Sequence, residues 1–222
     1  MTGPTMTAER RELVVSREAL LALGAAARGE RAGAAAGELA AQGVLGLDGR
    51  VSDAAAPTAV AVGSASVTVN VLTADPDGNR GADLWVGGTR AVLHGAGNAP
   101  APVVSLGRSL LPELLVRAIG LAPRPVVEAA PFAAAGSTVA AACRGSVAPP
   151  WTGQADRPSL CRVSWAAADG TVGRLAVLDL GAHGYWSPAD QGGELTWSPT
   201  TASAVWQAFG PLFALALDDR TS

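Results

Sequence analysis

Apolar and polar positions divide the chain into recurring strand and helix segments. The plainest is 67–71, Val-Thr-Val-Asn-Val, which alternates with the period of two of a strand with one buried face. Near the other end Cys161, Val163 and Trp165 alternate with Arg162 and Ser164 in the same way. That segment runs into Asp169-Gly170, a pair that tolerates the positive φ of a tight hairpin, so it should pair antiparallel with the apolar run 174–180. A loop carrying Tyr185 and Trp186 follows, then a strand over 194–197. Ser198 or Thr200 can cap a final helix whose apolar positions Val205, Trp206, Phe209, Leu212, Phe213 and Ala216 recur at three and four residues.

The same order appears earlier. Leu84-Trp-Val86, Gly87-Gly88 and Thr89-Arg-Ala-Val-Leu93 form a candidate hairpin, and a Pro-rich loop leads to a strand over 103–106. Ser109 then caps a helix carrying Leu110, Leu111, Leu114, Leu115, Ala118 and Ile119, which stops at Gly120. The repeated order predicts two similar β-β-β-α half-units that share one sheet about a pseudo-twofold axis. At 222 residues the chain can bury a core without metals or disulfides. It reads as one domain, 1–222, with halves at about 1–122 and 132–222 and the Pro-rich connector 123–131 between them.

Before the first strand, 13–28 is rich in helix formers, with Leu13, Leu20, Leu21 and Leu23 as an apolar stripe. A second helix is expected over 34–42, ending at Gly43, followed by an Asp48-Gly49 turn. Two helices and a turn can also be read as a winged helix, but no cationic recognition helix accompanies them, and packing against the sheet is the better use. The polar stretch 75–81, Asp-Pro-Asp-Gly-Asn-Arg-Gly, has turn residues and no apolar side chain to bury, so a surface loop is expected. Between the halves, 133–144 suits a small-residue helix, and Trp151 a plug over the core.

Composition narrows the function. All 16 basic residues are Arg and the formal net charge is −3, which argues against a general nucleic-acid binder. Residues 1–11 lack the cationic start and apolar core of a signal peptide, and the run 132–143 falls short of the ~20 apolar residues that span a bilayer. A cytoplasmic protein without membrane insertion is therefore expected, with Cys143 and Cys161 free and buried.

No catalytic constellation stands out. His94 and His183 have no companions at ligand spacing, so neither a metal nor another cofactor is expected. Gly95-Ala-Gly97 lacks the third glycine and the helix of a dinucleotide turn. Asp169 lies in a turn signal, and Asp179 marks a strand end facing water. Five of the six tryptophans, Trp151, Trp165, Trp186, Trp197 and Trp206, fall in the second half. Trp165, Trp197 and Trp206 sit at periodic core positions, whereas Tyr185-Trp186 lies in a Gly-flanked loop where exposed aromatics serve either an interface or local packing.

Taken together, 12–20, 38–45, Leu47-Asp-Gly-Arg-Val51, Thr89-Arg-Ala-Val-Leu93, Leu121-Ala-Pro-Arg-Pro125, 173–179 and Leu195-Thr-Trp-Ser-Pro199 give the chain a pattern that resembles the EspG family, the cytosolic chaperones of the type VII (ESX) secretion systems of actinobacteria. The resemblance covers most of the chain and implies an α+β fold, a central antiparallel sheet built from two quasi-symmetric β-β-β-α halves flanked by helices, and a non-enzymatic chaperone for a helical secreted protein or heterodimer, PE/PPE-like or WXG-type, which it keeps soluble and delivers for export; homodimerisation stays open. Partner contacts are expected at Asp75, Asp77, Asn79 and Arg80 of the polar loop and at Tyr185 and Trp186. The alternatives are a small-molecule or regulatory binding module on the same sheet and, behind it, a winged-helix regulator.

Overall fold

Alternation along the central strands sends every second side chain to each face of the sheet, and the two faces are covered differently. The computed structural model describes residues 13–97, 99–191 and 194–217; the expectations for 1–11 and Glu12 lie outside them. The first half comprises β1 (Val14–Val15), α1 (Arg17–Ala27), α2 (Ala36–Ala41), α3 (Ala56–Gly63), β2 (Val67–Asp75), β3 (Gly78–Gly87), β4 (Arg90–Gly95), β5 (Ala101–Gly107) and α4 (Leu111–Ile119). The second comprises β6 (Phe132–Ala133), α5 (Gly136–Cys143), β7 (Ser159–Ala167), β8 (Val172–Asp179), β9 (Tyr185–Gln191), β10 (Glu194–Thr200), α6 (Ala202–Ala208) and α7 (Gly210–Leu217).

These strands form one ten-stranded sheet in the order β1-β5-β4-β3-β2-β7-β8-β9-β10-β6, with every neighbouring pair antiparallel. Read from either edge, the order is a short edge strand and then a four-stranded meander, and the meanders meet at β2 and β7. Val67 lies opposite Ala167 and Ala74 opposite Leu160 across that seam. Each half therefore has a four-stranded meander and an edge strand; relative to the β-β-β-α unit, the strand over 67–71 is the fourth meander strand of the first half. In the second half the additional strand is β9, which carries Pro188. Proline argues against a central strand on propensity, but β9 pairs along its whole length with β10.

Three apolar clusters hold the layers. On the front face α4, α6 and α7 cover Val67, Val69, Val71, Val163 and Trp165. On the rear face α1, α2 and α3 cover Trp85 and Val92 of the first half. At the far side of the rear face, α5 and Trp151 cover Leu160, Leu178, Trp186 and Trp197. The first three helices are thus spent on the sheet, as a packing role requires and a winged helix would not. Ser16, as N-cap, accepts from the Ala19 N–H and is itself held by Glu38, its backbone N–H at 2.6 Å and its hydroxyl at 2.8 Å.

Several local expectations are corrected. The stretch 75–81 is not a loop: β2 and β3 continue into it and turn at Pro76 and Asp77, with Asp75 opposite Gly78, whose φ of +124° suits glycine. Tyr185 and Trp186 are the first residues of β9, and both are buried. Ser198 and Thr200 lie inside β10, and Thr201 caps α6 instead, accepting from the Ala204 N–H at 3.0 Å. The single final helix divides in two, with Pro211, which has no N–H to donate, near the start of α7. Trp206, expected in the core, is 36% exposed. Ser109 lies in a one-turn 3-10 helix ahead of α4 and caps nothing; Gly120 does end α4, at φ +68°.

Candidate functional site

The rear face is open at the sheet's centre, between the α1–α3 layer and the α5 layer. There the outward positions of β2 and β7, which alternate with buried Val69, Val71, Val163 and Trp165, stand side by side: Thr68, Asn70 and Leu72 beside Arg162, Ser164 and Ala166. Register carries the row onto β8, where Arg174 lies opposite Ser164 and Ala176 opposite Arg162. Two depressions of about 750 and 620 Å³ share Asn70, Ser164 and Arg174, so together they form one groove across the seam. Leu72 is 41% exposed and Val172 75%, which puts apolar surface along a polar floor.

One end of the groove is fixed by a charged network. Asp83 is buried opposite Asn70, accepts from Arg17 Nε at 2.6 Å through Oδ2, and from Asn70 Nδ2 at 2.8 Å through Oδ1. Burial of the carboxylate is tolerable because both oxygens are bonded. The other end is closed by Trp197 and Pro188, with Gly136 and Ser137 of α5 on the wall. Among the described residues no group of three His, Cys, Asp or Glu side chains converges as a metal site would need, and no helix is long and apolar enough to cross a membrane.

The residues expected at a partner surface divide into two sets, neither of them on the groove floor. Asp75 is buried, pairs with Arg80 and accepts from the Asp77 N–H at 2.9 Å. Asp77 pairs with Arg157, and Asn79 Oδ1 accepts from Arg144 at 3.1 Å, so the hairpin is tied to the second half of the chain. Asp77, Asn79 and Arg80 nonetheless remain exposed. Tyr185 points to the front core, its hydroxyl donating to the Ala122 carbonyl at 2.8 Å and accepting from the Ala122 N–H at 2.9 Å. Burial raises its pKa above the ordinary tyrosine value. Trp186 points to the rear core, donates to the His183 carbonyl at 3.0 Å and lies 5.3 Å from the Phe132 ring.

The remaining chemistry-bearing residues are structural. Asp179 does not face water: Arg124 grips it through Nε and Nη2, each at 2.9 Å, and that contact holds the Arg124 pKa above its ordinary value. Asp169 lies in the turn before β8, accepting from the Thr171 N–H at 2.8 Å, and Asp179 is the last residue of β8, so the two make no carboxylate pair. His94 is buried and donates through Nε2 to the Val15 carbonyl at 2.8 Å, tying down β1. Cys143 and Cys161 are free and buried. Arg162 and Ser164 were read only as the polar half of an alternating strand and Arg174 only as the start of an apolar run, although two arginines on the paired strands of one hairpin were a usable signal.

Among solved structures this architecture matches the Mycobacterium tuberculosis type VII secretion chaperone EspG5, determined in complex with a PE25–PPE41 dimer, with a TM-score of 0.56 over 92% of this chain and 96% of that one. The fold is that of EspG5. Identity is 13%, so the likeness carries the EspG5 fold, α+β with a central antiparallel sheet flanked by helices, and the use of the groove rests on its own residues. No family model and no curated protein matches the sequence.

Proposed function

We propose that this chain is a chaperone of type VII (ESX) secretion that binds a helical secreted protein or heterodimer, PE/PPE-like or WXG-type, in the cytosol and keeps it soluble for export without catalysing a reaction. The observation that carries this reading is the open groove at the centre of an EspG5-like sheet. Its length and openness suit a macromolecule better than a small ligand, which is ordinarily enclosed over most of its surface. Covering the client's apolar end removes a patch that would drive self-association, and a specific complex of this kind buries roughly 1,200–2,000 Å². Asp77, Asn79 and Arg80 on the exposed hairpin are proposed as secondary contacts. Asp75, Tyr185 and Trp186 are proposed to act from within, by holding the framework.

The test is co-expression with the helical secreted proteins encoded beside the gene. The expected result is a co-purifying complex and a larger soluble fraction of client. Unchanged client solubility with no complex overturns the reading.

A further inference from the structure

Arg162 and Arg174 occupy the middle of the groove, on diagonal positions of β7 and β8: Arg174 is opposite Ser164, and Arg162 opposite Ala176. Diagonal neighbours on one face are about 7–8 Å apart, close enough for two guanidinium groups to act on one ligand. Both are exposed, and among the described residues neither makes an ion pair or side-chain hydrogen bond. Arg17, Arg28, Arg80, Arg117, Arg124 and Arg157, by contrast, are each paired with a carboxylate. Of the carboxylates lining the groove, Asp83 is occupied by Arg17 and Asn70, and Asp190 lies towards β10, opposite Leu195.

Resting on the chaperone reading above, we infer that the groove selects an acidic client: Arg162 and Arg174 receive two carboxylates at the end of a client helix. Two neighbouring cations on a sheet face repel each other unless an anion bridges them, and the planar guanidinium matches a carboxylate in two-point geometry. Carboxylates at i and i+4 on a helix stand about 5–6 Å apart at their Cβ atoms, a span the two arginine side chains can meet. Leu72 and Val172 flank the pair with exposed apolar surface for the rest of the helix end. α5 also opens onto the depression with no side-chain cap, which adds the positive end of its dipole.

The test measures the affinity of the purified co-expressed client for the wild-type chain, for Arg162→Gln with Arg174→Gln, for the corresponding Glu pair and for Ser164→Trp, at ~0.05 M and ~0.5 M NaCl. The Gln pair should weaken binding on the order of 2- to 30-fold at low salt, the Glu pair more, and the differences should shrink at high salt. Circular dichroism checks the fold, and the neutral Gln pair still decides the matter if the Glu pair unfolds. Salt-insensitive binding that survives the Gln pair but is lost in Ser164→Trp overturns the acidic inference and leaves groove docking intact. Unchanged binding in all variants overturns the inference and moves docking elsewhere, whereas a client that never binds the wild type removes the chaperone reading itself.

Discussion

Gly173 on β8 lies opposite Trp165 on β7, and a Cβ at Gly173 would stand 2.2 Å from Cζ2 of the indole. The ring, 7% exposed, lies over the glycine at the centre of the front core, so the missing side chain is a packing requirement. Gly173→Ala forces the ring or the strand to move. Overpacking of this kind costs about 1–3 kcal/mol, read as a lower denaturation midpoint with an altered Trp emission spectrum. Equal stability would mean that the indole is not held there.

The connector between the halves is pinned at Tyr185. Its hydroxyl satisfies both the N–H and the carbonyl of Ala122. Tyr185→Phe keeps the ring but leaves two backbone groups without their partner, a loss of about 1–3 kcal/mol. Chemical denaturation measures it, and protease nicking within 123–131 should quicken in the variant.

Two ion pairs should differ in weight. Arg124–Asp179 is largely sheltered and gripped through two nitrogens, whereas Arg157–Asp77 has both side chains more than 60% exposed. Asp179→Asn is therefore expected to cost about 1.5–3 kcal/mol, and Asp77→Asn less than about 1 kcal/mol. Equal losses would contradict the burial argument.

Burial pushes the Cys161 thiol up from 9.0 to about 11 and that of Cys143 to about 12. Both should resist a thiol-specific reagent at pH 8 in the folded protein and react at once in denaturant. Because the folded-state values lie above the unfolded ones, stability is unaffected below pH 9. It falls as pH rises from about 9 towards 11 and 12, where the unfolded chain loses protons that the native chain retains. Replacing both cysteines with Ala should remove that alkaline loss from a pH series of melting curves.

Period-two alternation made β2 and β7 legible, the Asp169-Gly170 turn pointed to β8 as the partner of β7, and Gly87-Gly88 and Gly120 marked the β3–β4 turn and the end of α4. The edge strands β1 and β6 were not, because two residues carry no period and are strands only through distant partners such as Pro102 and Trp197. Trp206 fits the apolar period of its helix, yet it packs 5.0 Å from Phe213 with one side towards solvent. The groove was hidden for a different reason. Asn70 and Ser164 are adjacent only because β2 and β7 pair across the seam, and no local pattern reports which stretch of a sheet the helices leave uncovered.

The most direct measurement is photo-cross-linking from the groove in the co-purified complex. A photoreactive residue replacing Val172, 75% exposed on the groove, is compared with one replacing Trp206 on the front helices. The account predicts a client adduct from position 172, mapping to a helix end, and little or none from position 206. An adduct from 206 alone would contradict it.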